Sequence, residues 1–165
     1  MPEKISFQML LQNLRKGREM SQGNDRVLVH IGDGFYTEIT ASGHILAADE
    51  PESLGGTDRG PNPYDFLLGA LGSCTAMTLR LYANRKNWSL DSVTVRLEHG
   101  KIYADDCANS ETETGKIDHI EREIEMEGDL TGEQREKLLD IADKCPVHRT
   151  LTSETVIEDR TPARS

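Results

Sequence analysis

Cysteine, basic charge and long apolar runs are all scarce in this chain. There are only three cysteines in 165 residues. An odd, small number cannot build the paired framework of a small secreted domain, and a reducing compartment keeps such thiols free. Lysine and arginine total 19 against 29 acidic residues, for a formal net charge of −10. That balance repels phosphate backbones and anionic lipid. The local group Arg80, Arg85 and Lys86 is too short a tract to reverse it. Neither nucleic acid nor a membrane is an expected partner. No apolar run approaches the roughly 20 residues that span a bilayer. The opening MPEKISFQMLLQNLRKGREM has no continuous apolar stretch before a small-residue cleavage site. The expected location is the cytoplasm, where the glycosylation-type triplet Asn87-Trp88-Ser89 is a chance match.

What is present suits one compact domain. The hydrophobic share is 36% and the charged share 29%, as in soluble globular proteins. The length is enough for a real core. A single domain is expected over residues 1–165, with residues 1–22 as a helical extension. Phe7, Leu10, Leu11 and Leu14 fall on one face of that helix.

From residue 25 the pattern is a meander. Val27, Val29 and Ile31 alternate, Gly32-Asp33-Gly34 turns the chain, and Phe35, Thr37 and Ile39 alternate again. Ser42-Gly43 leads into a third strand. A loop rich in proline and glycine, EPESLGGTDRGPNP, follows. Asn62-Pro63 signals a helix start, with Asn62 as N-cap. Leu67, Leu71, Cys74 and Leu81 then recur at helical spacing, which predicts a long central helix. Gly69 and Gly72 cost helix propensity and so predict close packing or a kink ahead of Cys74.

Two further strands alternate clearly. Val93, Val95 and Leu97 point one way, and Ile120, Ile124 and Met126 do the same in their strand, opposite a row of glutamates. The polar connection between them contains Cys107. Thr131 and Gln134 form a capping box for a helix carrying Leu138, Leu139 and Ile141. Pro146 is expected to stop that helix near Lys144. SETVIE reads as a last strand. The order strands, helix, strands, helix, strand is α+β.

The thiols differ in setting. Cys74 lies on the apolar stripe of the central helix, where a free cysteine serves as a small hydrophobe. Cys107 has Asp105 and Asp106 beside it, which discourages thiolate chemistry. Cys145 is placed at a helix C-terminus, where the dipole disfavours an anion. Cys145 and His148 form a Cys-x-x-His pair, but a zinc site needs about four ligands and no second pair completes it. From the residues alone Cys145 stays open between a metal ligand, a redox partner and a buried small side chain.

The segment GGTDRGPNPYDFLLGALGSCTAMTLRLYA resembles the first cysteine motif of the OsmC/Ohr family, the osmotically induced and organic hydroperoxide resistance proteins. LLDIADKCPVHRTL resembles the second, a helix ending in Cys-Pro. The likeness spans roughly residues 25–158 and is strongest to the broad OsmC-like branch, some of whose members are fused to a hydrolase domain. It implies an OsmC-like fold, with antiparallel sheets wrapped around a long central helix in an intertwined homodimer. It also implies a thiol-dependent peroxidase: Cys74 reduces a small organic hydroperoxide and becomes a sulfenic acid, Cys145 resolves it as a disulfide, and an external dithiol reopens the bond. No cofactor and no metal are expected.

The sequence departs from the hydroperoxide-resistance branch at two points. That branch uses an arginine from the early strands and a glutamate after the Asn-Pro start. Here the early turn is Gly32-Asp33-Gly34, and Tyr64 and Asp65 follow Asn62-Pro63. Arg59 and Arg149 are candidate replacements for the arginine, with Asp65 and His148 as further supporting residues. The alternative expectation is a non-catalytic binding or redox-sensing module for a small apolar or electrophilic ligand. A third is an interaction partner of a hydrolase.

Overall fold

The computed structural model describes residues 27–103 and 115–160. The expected N-terminal helix and Cys107 lie outside the described residues. The chain divides into two compact units, one up to Pro63 and one from Tyr64 onward.

The first unit is the expected meander. β1 (Val27–Ile31), β2 (Thr37–Ala41) and β3 (His44–Ala48) form an antiparallel sheet in that order. Gly43 supports the β2–β3 turn with φ +82°, a value that costs glycine nothing. After β3 the loop is organised around Asp49, which is only 2% exposed. Its carboxylate accepts from the Glu50 and Thr57 amides at 2.8 and 3.2 Å, the Thr57 hydroxyl at 2.5 Å and the Arg59 amide at 3.2 Å. A buried charge needs such a set of donors.

The second unit carries the thiols. α1 (Pro63–Lys86) starts at the proline, as the sequence predicts. β4 (Ser92–Tyr103) and β5 (Lys116–Glu127) pair antiparallel over their full length. α2 (Gly132–Ala142) opens with both bonds of the Thr131–Gln134 capping box. Leu79 and Ala83 of α1 pack with Leu138, Ile141 and Ala142 of α2 and with Leu90, and Val93, Ile124 and Met126 close over them. Arg135 ties α2 to the end of β5 by donating to the Met126 and Gly128 carbonyls at 2.7 and 3.1 Å. Gly72 is the close-packing glycine. A Cβ there would lie 2.7 Å from Leu97 Cδ1, whereas one at Gly69 would meet open space.

Two expectations fail beyond α2. Pro146 does not merely end a helix; it begins one, α3 (Pro146–Leu151), with Cys145 as its N-cap. Proline's fixed φ and missing N–H suit that first position. Cys145 therefore sits at a helix N-terminus, not the C-terminus expected from the sequence. SETVIE forms no strand either. The Thr155 hydroxyl bonds back to the Thr150 carbonyl at 3.2 Å, and Val156 and Ile157 are 75% and 87% exposed. A strand needs a ladder partner, and none pairs with this segment among the described residues.

Candidate functional site: a paired thiol

Cys74 and Cys145 stand 71 positions apart in sequence, yet the fold brings them close enough for each thiol to shift the other's ionisation. Both are free thiols. Cys74 is half-buried on α1; Cys145 is fully buried. α1 delivers Cys74 in mid-helix, where the backbone is rigid. The short link from α2 to α3 delivers Cys145, with its amide bonded to the Ala142 carbonyl at 3.2 Å and its carbonyl accepting from the Arg149 amide at 3.0 Å.

The two sulfurs have unequal electrostatics. Burial pushes the Cys74 thiol above its ordinary range, and the hydrogen bond with Cys145 adds to that. Burial acts against ionisation at Cys145 too. There it is outweighed by hydrogen bonds from the Cys74 thiol, the His148 amide, the Thr75 hydroxyl and the Val147 amide, which hold Cys145 below its ordinary range. Of the two thiols, Cys145 has the surroundings that favour a negative charge. The amides are those of the first turn of α3, which point their N–H groups at the N-cap.

The supporting residues named from sequence fall in both units, with Arg59 in the first and Asp65, His148 and Arg149 in the second. Asp65 lies in the first turn of α1 and lines a groove of about 450 Å³ with Leu68, Gly72, Ala76, Val95 and Leu97. Tyr64, in the place of the branch's glutamate, stacks on His99 with ring centroids 4.4 Å apart. His99 in turn bonds Asp118 at 3.0 Å. His148 serves the pair through its backbone amide. Arg149 is exposed and contributes its backbone amide to the Cys145 carbonyl. Arg59, in the first unit, lies over the Tyr36 ring at 3.9 Å.

Sequence reasoning missed Thr75 and Arg122. Thr75 is fully buried next to Cys74. Arg122 lies on β5 with its side chain 15% exposed and donates to the Thr75 hydroxyl at 3.2 Å. The signal was there: in HIEREIEME the residues Ile120, Arg122, Ile124 and Met126 share one phase of the alternation. A charge in the inward phase calls for a buried partner. Among the described residues no group of histidine, cysteine and carboxylate side chains is arranged to hold a metal.

The model of the OsmC-like protein family matches residues 56–159. The chain belongs to the OsmC-like family. Solved structures share the fold at low identity. The OsmC-like protein of Mycoplasma pneumoniae has 17% identity and a TM-score of 0.61, over 79% of this chain and 89% of that one. An organic hydroperoxide resistance protein from Legionella pneumophila has 22% identity and a TM-score of 0.57, over 80% and 91%. The organic hydroperoxide resistance protein OhrB of Bacillus subtilis has 18% identity and a TM-score of 0.54, over 80% and 93%. At these identities the likeness establishes the fold. No curated protein matches the chain. The α+β architecture of antiparallel sheets and a long helix is thus the OsmC-like fold expected from the two cysteine motifs.

Proposed function

We propose that this OsmC-like protein is a thiol-dependent peroxidase that reduces small organic hydroperoxides through Cys74 and Cys145. The observation that carries the reading is the juxtaposition of two free thiols from distant parts of the chain, each shifting the other's ionisation. Two packed cysteines could serve as inert small hydrophobes. Inert thiols have no need of donors that favour a thiolate on one of them.

The chemistry balances as follows. In this scheme the reactive form of the pair has Cys74 as thiol and Cys145 as thiolate. The Cys74 proton passes to Cys145 as the Cys74 sulfur attacks the terminal peroxide oxygen. The O–O bond breaks, an S–O bond forms, and the alkoxide takes the proton back from Cys145 to leave as alcohol. Cys145, again a thiolate, attacks the sulfenic sulfur of Cys74. The S–S bond forms and hydroxide leaves, gaining a solvent proton to become water. Each sulfur has lost one electron, and the two peroxide oxygens have gained two. An external dithiol restores the pair by exchange. Cys145 thus acts first as base, then as acid, then as nucleophile. The groove beside α1, with Leu68, Val95 and Leu97, offers apolar surface to an alkyl group.

The active form in this reading is a homodimer. α1 is 24 residues long with a mean hydropathy of 1.3 in its most apolar window, yet only 22% of that window is buried within one chain. Met77 and Leu81 on it are 71% and 65% exposed. Length and composition alone would also suit a membrane span, and the core helix of a soluble assembly meets the same test. A second copy covering α1 accounts for the exposed apolar surface.

The test is consumption of cumene or tert-butyl hydroperoxide by purified protein with a dithiol present, against hydrogen peroxide. Dithiol-dependent turnover that favours the organic peroxides is expected. No turnover with any of the three overturns the peroxidase reading and leaves the redox-sensing module.

A further inference from the structure

We infer that Arg122, acting through the Thr75 hydroxyl, is the cation that holds negative charge on the Cys145 sulfur and so poises the thiol pair. The inference deepens the two-cysteine reading and rests on it. Arg122 donates through one nitrogen to Thr75 Oγ1 at 3.2 Å and to the Ala142 carbonyl at 3.4 Å. Its other terminal nitrogen donates to Asp143 at 2.8 Å. Thr75 is fully buried, the Ala142 carbonyl that Arg122 reaches also accepts from the Cys145 amide at 3.2 Å, and the Thr75 hydroxyl favours the ionised form of Cys145. A hydroxyl has one proton to give. With Arg122 as donor to the oxygen, that proton is free for the sulfur, and the donation polarises it.

The fold explains how Arg122 gets there. Arg122 pairs with Leu97 across the β4–β5 ladder. Leu97 packs into the space left by the absent side chain at Gly72. Gly72 and Thr75 are three positions apart and share a face of α1. The bare glycine therefore lets the sheet approach α1 where Arg122 must reach Thr75. Asp143 holds the far edge of the guanidinium beside the link that carries Cys145. Thr75 and Arg122 are positioning residues; neither touches the peroxide in this scheme. Cys74 and Thr75 on α1 and the amides opening α3 bear directly on the Cys145 charge, and Arg122 on β5 acts through Thr75, with Asp143 offsetting part of it.

The test is the thiolate titration of the Cys107→Ser protein, followed by ultraviolet absorbance, so that Cys74 and Cys145 alone report. The pair ionises in two steps. Thr75→Val should raise the first midpoint by about one to two pH units, the worth of one hydrogen bond to a charge. Thr75→Ser should restore it. Arg122→Ala should raise it similarly, and Arg122→Ala with Thr75→Val should raise it no further than Thr75→Val alone. Asp143→Asn, which loses the ion pair but keeps the relay, should not raise it. An unmoved midpoint in Thr75→Val overturns the relay, as does a fully additive double variant. Peroxide turnover is measured separately on the parent. If the midpoints shift as stated but the parent consumes no peroxide, the relay stands and the peroxidase reading falls.

Discussion

The Cys74 thiol, in the middle of α1, lies within interaction range of the Cys145 sulfur at the N-cap of α3, and each shifts the other's ionisation. Neither helix alone could create a reactive thiol here. α1 presents Cys74 without a direct charge partner, and α3 presents Cys145 where its amides favour an anion. The pair divides the work, with the charge stored on the buried member and the attack made by the half-exposed one.

This division predicts different outcomes for the cysteine variants. Cys74→Ser should reduce peroxide consumption to the uncatalysed level. Cys145→Ser should lose turnover as well, but with the sulfenic acid on Cys74 trapped by a dione reagent and over-oxidised by more peroxide. Cys107→Ser should keep nearly full activity. Turnover in Cys74→Ser equal to the parent would remove the peroxidase account.

The exposed face of α1 predicts a dimer at micromolar concentration, measured by sedimentation equilibrium. Charges at its most exposed apolar positions, Met77→Glu with Leu81→Glu, should shift the mass to the monomer, because an isolated buried charge is costly. A monomeric parent would contradict the assembly.

Asp49 makes stability depend on acid. The Thr57 hydroxyl and the Glu50, Arg59 and Thr57 amides hold its carboxyl below the ordinary value of 3.8, against the effect of burial. A depressed native value means the stabilisation is complete above about pH 4 and is lost as pH falls through the depressed value. Asp49→Asn should therefore be less stable than the parent to urea at pH 7, with the gap closing below pH 4. A gap that stays constant with pH would show that the charge contributes nothing.

Much of this was legible in the chain. The alternation of β4 and β5, the Thr131–Gln134 box and the Asn-Pro start of α1 are local patterns, and local geometry follows from them. Three features were not. Pro146 reads equally as a stop or as a first helical residue, and only the path after α2 decides it. Thr155, Val156 and Ile157 look like a strand, yet a strand depends on an edge elsewhere. Arg122 was passed over among glutamates, because a charge in the inward phase gains its meaning only when Thr75 is known to face it.

The central claim is tested most directly by counting thiols. One equivalent of organic hydroperoxide, added to the reduced protein without a dithiol, should remove two of its three thiols. Peptide mapping should find Cys74 joined to Cys145 and Cys107 still free. The bond requires the two Cα atoms to lie within roughly 4.4–6.8 Å once it has formed. Three thiols surviving that treatment, or a disulfide that includes Cys107, would contradict the account.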